Sequence, residues 1–308
     1  MGERGMCVSI YDYAYYNQTL LGNKSVILYN KDDSEPVQEV YNKFSTSFDM
    51  FTCTISEIND FVKAVNADVL YILKHGLPDQ LMKFNVKTAI HAVFDALYPH
   101  GDVFAVISPD VNNAFDSLVV PHMINLPYNC NNMREELNIP TDAIVFGRYG
   151  GYDQFNITGV QEIVARVARS NSNTYFLFMN TRPFCEPLPN IIHLDVSISL
   201  NRKVEFINTC NAMLWGRSGG ETFGLSIGEF SSRNKPIFCM DIGSRAHIRI
   251  LGDKAHIYTI ETLESMLIDF IKNNQKYATW NWNAYDEYSP KNVMQIFKKV
   301  FLDDADDE

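Results

Sequence analysis

The sequence predicts an α/β protein in which two domains each contain a parallel sheet. Short apolar runs typical of strands alternate with helical patterns along the chain, and this alternation favours parallel sheets covered by helices. The chain has 308 residues, 46% of them hydrophobic, which is enough for two modest domains with their own cores. A polar segment with prolines at 121, 127 and 140 interrupts the pattern, and we expect the domain boundary there, near residue 125.

The first half, residues 1–125, contains five apolar runs with strand character and three helical patterns. The predicted strands are Cys7–Ile10, Val26–Tyr29, Val69–Leu73, Val86–His91 and Val103–Ile107. The predicted helices lie near 35–44, 56–65 and 109–116.

The second half, residues 126–288, restarts with the strand Ala143–Phe146, which is followed by Gly147–Gly151. The next helix has apolar residues at helical spacing, namely Ile157, Val160, Val164 and Val167. Further strands are predicted at Tyr175–Phe178, Ile191–Leu194 and Pro236–Cys239. Residues 289–308 are predicted to form a terminal amphipathic helix, Ser289–Phe301, followed by an acidic tail.

The composition argues against several classes of protein. The net charge is −11 and no Lys/Arg cluster occurs, so we expect no nucleic-acid partner. No run approaches the ~20 apolar residues of a membrane span, and the first residues contain no signal-peptide core. Six cysteines without a C-x-x-C pair fit reduced thiols, so we expect a cytoplasmic protein. The tail Asp303–Glu308 fits a solubilising segment better than a metal site.

The segment from Arg217 to Glu229 is the most informative in the chain. Glu221 and Glu229 form an E-x7-E pair around Thr222-Phe223-Gly224, and a helical pattern begins at Leu225. Glycines and a helix start suit a phosphate, because the first amides of a helix point outward. Two carboxylates would repel a bare phosphate but accept hydrogen bonds from hydroxyls, which favours a ligand that carries both phosphate and sugar. The alternative is a surface loop before an ordinary amphipathic helix.

This segment resembles the P-S-x-x-E-G-F-G-L-x-x-x-E segment of family 4 of the retaining, GT-B type glycosyltransferases. The resemblance is strongest over residues 140–260. It implies two Rossmann-like domains that face each other across a cleft, with the last helix crossing back onto the first domain. Small virus-encoded members of the family exist, and the Asn- and Tyr-rich composition fits one.

A second resemblance lies at Gly147-Arg148-Tyr149-Gly150-Gly151, where the family has Gly-Arg and a lysine five residues later. Arg148 matches the family arginine, which binds the donor diphosphate, and the glycines Gly150 and Gly151 allow close backbone approach. Position 153 is Asp instead of lysine. Arg217 and Arg182 are the candidates to replace the lysine, and a surface salt bridge is the alternative role for Arg148 and for Arg217. The loop Asn180-Thr181-Arg182 follows a strand and is expected near the base, or to be a plain turn.

The first domain shows weaker matches. Thr88–Asp95 resembles the family's T-x-H-D segment, which makes His91 a catalytic candidate at the donor sugar; the alternative is a packed core histidine. His75 is a second, weaker candidate. The loop expected after the first strand, Tyr11–Asn17, is rich in tyrosines that could stack on an acceptor sugar or pack the domain wall.

The resemblance implies a hexosyltransferase that moves a sugar from a nucleotide diphosphate sugar to a hydroxyl with retention of configuration. GDP-mannose is the favoured donor because mannosyl donors are frequent in the family, and the acceptor is a glycan or glycoprotein. Donor binding is assigned to Arg148, the Arg217–Leu225 loop with Thr222, Phe223 and Gly224, and Glu229, with Glu221 also catalytic. No metal or other cofactor is expected, because no D-x-D motif precedes a suitable turn, and a homodimer is considered. The alternative is a nucleotide-sugar-binding protein of the same fold without transfer activity.

Overall fold

The computed structural model describes residues 5–32, 35–78 and 83–303, and every strand pair in these residues is parallel. The chain forms two units, Met1–Met123 with Glu287–Glu308, and Ile124–Asp286. Because the last helix belongs to the first unit, the prediction that it returns there is confirmed.

The first unit contains six of the described strands and four of the described helices. The strands are β1 (Val26–Asn30), β2 (Asp49–Cys53), β3 (Val69–Lys74), β4 (Lys87–Ala92), β5 (Val103–Val106) and β6 (Leu118–Val119). The helices are α1 (Gly5–Thr19), α2 (Gln38–Ser45), α3 (Ile58–Ala64) and, at the end of the chain, α9 (Pro290–Phe297), which continues as the π-helical turn Lys298–Leu302. Strands β3 to β6 form one sheet in sequence order, and β1 pairs with β2.

The second unit contains the remaining described elements. Its strands are β7 (Ile144–Tyr149), β8 (Thr174–Met179), β9 (Ile191–Leu194), β10 (Ala212–Leu214), β11 (Gly220–Glu221), β12 (Ile237–Cys239), β13 (Ser244–Arg245) and β14 (Ala255–Ile257). Its helices are α4 (Thr158–Ser170), α5 (Leu200–Thr209), α6 (Leu225–Ser232), α7 (Ala246–Leu251) and α8 (Ile260–Asn273). Six strands form one sheet in the order β14-β12-β10-β7-β8-β9, and the short β11 and β13 pair separately.

The core of the second unit lies between this sheet and helices α4 and α8. Phe146 stacks on Phe176 with ring centroids 5.4 Å apart, and the edge of Phe238 meets Phe146 at 5.8 Å. Val160 and Val164 of α4 are completely buried against the same cluster. The predicted helical spacing of these valines therefore corresponds to the buried face of α4.

The N-terminal segment differs from its prediction. Cys7–Ile10 is not a strand, and Tyr11–Asn17 is not a loop, because both lie within α1. Tyr13 is buried and stacks on Phe297 of α9 at 5.1 Å. Packing of a whole helical turn against α9 thus outweighs the strand propensity of the short apolar run.

The helix predicted near 109–116 is also wrong, because these residues form turns. The backbone of Asn112 bonds to that of the preceding loop, its amide donating to the carbonyl of Phe94 at 3.2 Å. Asn113 and Asp116 adopt left-handed φ angles of 59° and 55°, which a continuous α-helix excludes. The polar turn residues of this segment therefore outweigh its helical pattern.

Candidate functional site

The strand order of the second unit defines where a ligand can bind. Strand β7 lies between β8 and β10, so the connections after β7 and after β10 leave the sheet at neighbouring positions and in opposite directions. Such a switch point opens a crevice at the carboxyl ends of the two strands, where ligands of open parallel sheets bind. Arg148 and Tyr149 end β7, and Trp215 directly follows β10.

Arg148 is a buried cation at this edge, with 4% of its surface exposed. Its Nη1 donates to Thr181 Oγ1 at 2.5 Å, and both terminal nitrogens donate to the carbonyl of Gly151 at 3.3 Å. Burial lowers the pKa of Arg148 to about 10, with the nearby charges of Glu221 and Arg217 acting in opposite directions. The guanidinium remains charged at neutral pH, where it can bind an anion.

The glycines after β7 make room for this arrangement. A Cβ at Gly150 would lie 2.8 Å from Nη2 of Arg148, and one at Gly151 would lie 2.7 Å from the side chain of Gln154. The carbonyl of Gly150 accepts a hydrogen bond from Asn180 Nδ2 at 2.8 Å. The structure therefore brings the loops after β7 and β8 together.

The loop between β10 and α6 is closely packed against the segment around β13. A Cβ on Gly220 would lie 2.2 Å from the carbonyl oxygen of Ser244, and one on Gly243 would lie 2.2 Å from the backbone of Gly219. Gly220 and Gly224 have φ angles of 67° and 86°, which favour glycine. Gly224 is the N-cap of α6, so the turn Thr222-Phe223-Gly224 delivers the chain to the helix start, as the sequence predicts.

Glu221 lies in this loop with both carboxylate oxygens bound. Oε1 accepts a hydrogen bond from Trp215 Nε1 at 2.9 Å, and Oε2 accepts one from Arg217 Nη1 at 3.0 Å. Trp215 is 2% exposed, and the centroid of its ring lies 4.6 Å from that of His247, with the two rings tilted. Trp215 is not among the predicted site residues, although a tryptophan directly after a buried strand and before a glycine-rich loop needs a partner for its N–H.

Glu229 lies inside α6 and is 5% exposed. Its Oε2 accepts a hydrogen bond from the hydroxyl of Tyr149, the last residue of β7. Burial and the charge of Glu229 raise the pKa of Tyr149 well above its usual value. No role is predicted for Tyr149 from the sequence. Its side chain connects β7 to α6, and no local sequence pattern predicts a contact between two separate elements.

Arg182 occupies a different environment from Arg148. Its Nε lies 2.6 Å from Asp153 Oδ1, both side chains are about two-thirds exposed, and its guanidinium lies 5.2 Å from the ring of Tyr152. Arg182 therefore pairs with the aspartate that stands at the family's lysine position. Arg217 is more buried, and its charge acts on Arg148.

The structure does not place His91 at an accessible edge. Its side chain is completely buried in the first unit, where Nε2 donates to the carbonyl of Val120 at 2.8 Å and Nδ1 accepts from the Tyr71 hydroxyl at 2.7 Å. Burial lowers its pKa to about 3. This burial corresponds to the alternative of a packed core histidine, and not to the expected place at the donor sugar. The reason is that α9 and the turn after it cover the end of β4: the ring of Phe301 lies 5.2 Å from that of His91.

His75 is exposed, and its ring lies 5.3 Å from that of Phe94.

Two features are absent from the described residues. In residues 5–32, 35–78 and 83–303, no group of three or more His, Cys, Asp or Glu side chains could hold a metal ion. In the same residues, no helix is long and apolar enough to cross a membrane.

Comparison with known proteins identifies the fold. No protein-family model matches the sequence, and no curated protein matches it. A glycosyltransferase from Rickettsia africae ESF-5 has a TM-score of 0.70 at 11% identity, with 97% of this chain and 95% of that one covered. The Anabaena protein HepE, solved with UDP and glucose, has a TM-score of 0.67 at 13% identity, with 96% and 94% covered. A putative UDP-N-acetylglucosamine 2-epimerase from Listeria monocytogenes has a TM-score of 0.60 at 12% identity, with 98% and 95% covered.

These structures share with this chain an α/β fold of the GT-B type with parallel sheets. The predicted fold class is therefore confirmed. The neighbours include a putative epimerase as well as glycosyltransferases, so the shared fold alone does not define which reaction this chain catalyses.

Proposed function

We propose that the protein is a retaining glycosyltransferase, which moves a hexose from a nucleotide diphosphate sugar to a hydroxyl of a glycan acceptor. The observation that carries the proposal is the E-x7-E pair at the switch point of the second unit. Its two carboxylates flank the start of α6, and the charge of Glu221 acts on the buried Arg148. A ligand that carries both a diphosphate and hydroxyl groups matches this combination of a buried cation with two carboxylates.

The diphosphate is assigned to Arg148 and to the amides at the start of α6. The first amides of a helix lack acceptors within the helix, and the helix dipole favours negative charge at this end. Arg217 supplies the second positive charge, because its side chain is more buried than that of Arg182, which lies in an exposed pair with Asp153. In this proposal these groups stabilise the leaving diphosphate without a divalent ion.

The hydroxyl groups of the donor are assigned to the two glutamates. Glu229 accepts from the ribose, and Glu221, oriented by Trp215 and Arg217, accepts from the donor sugar. Departure of the diphosphate and attack of the acceptor hydroxyl occur on one face of the sugar. The neighbour HepE was solved with UDP-glucose, whereas the family resemblance favours GDP-mannose, so both belong in the first test.

A nucleotide-sugar-binding protein without transfer activity is the second candidate. The observation that favours it is Asp153, whose carboxylate stands where the family has a lysine and pairs with Arg182. A binding protein would retain the donor site described above and yet leave the donor intact.

The test begins with calorimetric titration of UDP-glucose, UDP-N-acetylglucosamine and GDP-mannose. Glu229→Gln should weaken binding of the preferred donor by ~1.5–3 kcal/mol, the value of one hydrogen bond to a charged group. Glu264→Gln, which removes an exposed carboxylate paired with Arg166, is the matched control and should bind normally.

Turnover with each donor, followed by NMR, separates the candidate reactions. Transfer with retention in excess EDTA supports the proposal. Donor binding without any product supports the binding protein, and a change of the donor's sugar without transfer supports an isomerase. Activity that disappears with EDTA and returns with manganese would refute the metal-independent mechanism.

A further inference from the structure

The hydrogen bond between Tyr149 and Glu229 engages only one of the two oxygens of a buried carboxylate. The Tyr149 hydroxyl donates to Oε2, and among the described residues no other group donates to this carboxylate. Oε1 thus has no hydrogen-bond partner in the part of the chain that the structure describes. A buried carboxylate with one oxygen bound and the other available is suited to accept from a ligand.

The packing around both residues fixes this geometry. The ring of Tyr149 lies 5.6 Å from Phe206, edge to face, and 5.6 Å from Phe230. On the helix side, a Cβ at Gly228 would lie 2.5 Å from Ile124 and 2.6 Å from Tyr285, so α6 is closely packed beside Glu229. Because neither backbone can shift easily, the hydroxyl determines which way the Glu229 carboxylate faces.

We propose that Tyr149 is a positioning residue for the nucleotide: it binds Oε2 of Glu229 and so presents Oε1 alone to the ribose hydroxyls of the donor. This inference rests on the proposed function. It adds that ribose recognition depends on a tyrosine that does not itself touch the ligand, and that a single oxygen of Glu229 carries the recognition.

A purely structural role for Tyr149 is the competing explanation, and the ribose hydroxyls distinguish the two. Tyr149→Phe keeps the ring and its packing but removes the donor, so the carboxylate can rotate. We expect the affinity for the preferred ribonucleoside diphosphate to fall about tenfold, a change of ~1.4 kcal/mol. The affinity for the 2′,3′-dideoxy form should change less than twofold, because that ligand never used Glu229.

Two further variants complete the experiment. Tyr13→Phe removes a buried tyrosine hydroxyl that donates to the Pro121 carbonyl at 2.8 Å in the first unit, and it should leave both affinities unchanged. Glu229→Asp retains Tyr149, but its shorter side chain cannot keep the tyrosine bond and reach the ribose at once. It should show the same selective loss even if Tyr149→Phe fails to fold.

The outcomes separate this inference from the proposed function. A wild-type protein that prefers the ribonucleotide, with a folded Tyr149→Phe variant that keeps the same preference, overturns the inference and leaves the proposed function standing. Equal affinity of the wild type for ribo and dideoxy ligands overturns the role of Glu229 and with it that of Tyr149. A wild type that binds no nucleoside diphosphate overturns the proposed function itself.

Discussion

Acid should destabilise the first unit through two buried histidines. His91 and His122 are completely or almost completely buried, with ring centroids 6.1 Å apart, and burial lowers the pKa of each to about 3. For His91, protonation of Nδ1 would also cost the hydrogen bond from Tyr71, because a protonated nitrogen cannot accept. The perturbation is a change from pH 7 to pH 5.

The magnitude follows from the difference in pKa between the folded and unfolded chain. An unfolded histidine with a pKa of 6.5 takes up a proton as the pH falls, whereas the folded one stays neutral until about 3. Stability is therefore complete above pH 6.5 and is lost as the pH falls, by ~1.4 kcal/mol per pH unit for each histidine. At pH 5 the loss is about 2 kcal/mol for each residue and about 4 kcal/mol for the pair. That is a large part of a typical folding free energy of ~5–15 kcal/mol.

The assay must observe the first unit alone. All three tryptophans, Trp215, Trp280 and Trp282, lie in the second unit, so tryptophan fluorescence would follow the wrong part of the chain. Hydrogen exchange of peptides that cover β4, measured by mass spectrometry across a urea series at each pH, reports the free energy of unfolding of the first unit.

Variants assign the effect to the buried rings. His91→Gln removes one titrating group and should reduce the difference in unfolding free energy between pH 7 and pH 5 by about 2 kcal/mol. His75→Gln changes an exposed histidine and should leave the difference unaltered. An unchanged pH dependence in His91→Gln would refute the reasoning and return His91 to an accessible position.

Two further predictions concern the loop that carries Glu221. Trp215→Phe removes the Nε1–H that orients Glu221, so kcat for transfer should fall at least tenfold while nucleoside diphosphate affinity stays within threefold; Trp280→Phe, at an exposed ring, is the control. Normal kcat in Trp215→Phe would exclude Glu221 from the sugar site. Gly220→Ala places a Cβ against Ser244 at a φ of 67° and should lower the free energy of unfolding of the second unit by ~1–3 kcal/mol. Gly219→Ala, whose nearest contact would be 3.7 Å away, should cost little, and equal losses in both variants would show that the loop is not constrained as described.

The segments around β7 and the start of α6 are predictable from sequence because their local patterns and their packing agree. The strand Ala143–Phe146 was placed correctly, and β7 continues to Tyr149. The turn before Leu225 was also correct, since a glycine at a φ of 86° directly precedes the helix. In such segments each local preference is satisfied by the buried parallel sheet, so periodicity alone locates the elements.

The first unit was less predictable because distant residues determine its structure. The apolar run at Cys7–Ile10 resembles a strand, but Tyr13 packs against Phe297 of α9, 284 residues away in sequence. The burial of His91 depends on the same C-terminal segment, through Phe301. No pattern within a short stretch of sequence contains these contacts, so the sequence alone does not predict that His91 is covered.

Asp153 stands where the resembled family has a lysine, and its contacts change which arginines are free to act on a ligand. Asp153 neutralises Arg182 at an exposed pair, and exposed pairs contribute little to stability because water and salt screen them. Arg217 is paired as well, but with Glu221, and that pair is mostly buried beside Arg148. Two arginines and one glutamate leave a net charge of +1 where the diphosphate is assigned, and a positive charge in a buried position attracts an anion more strongly than an exposed one. In the proposed donor site, this charge would suit a diphosphate without the family's lysine, provided that Arg217 keeps Glu221 in place.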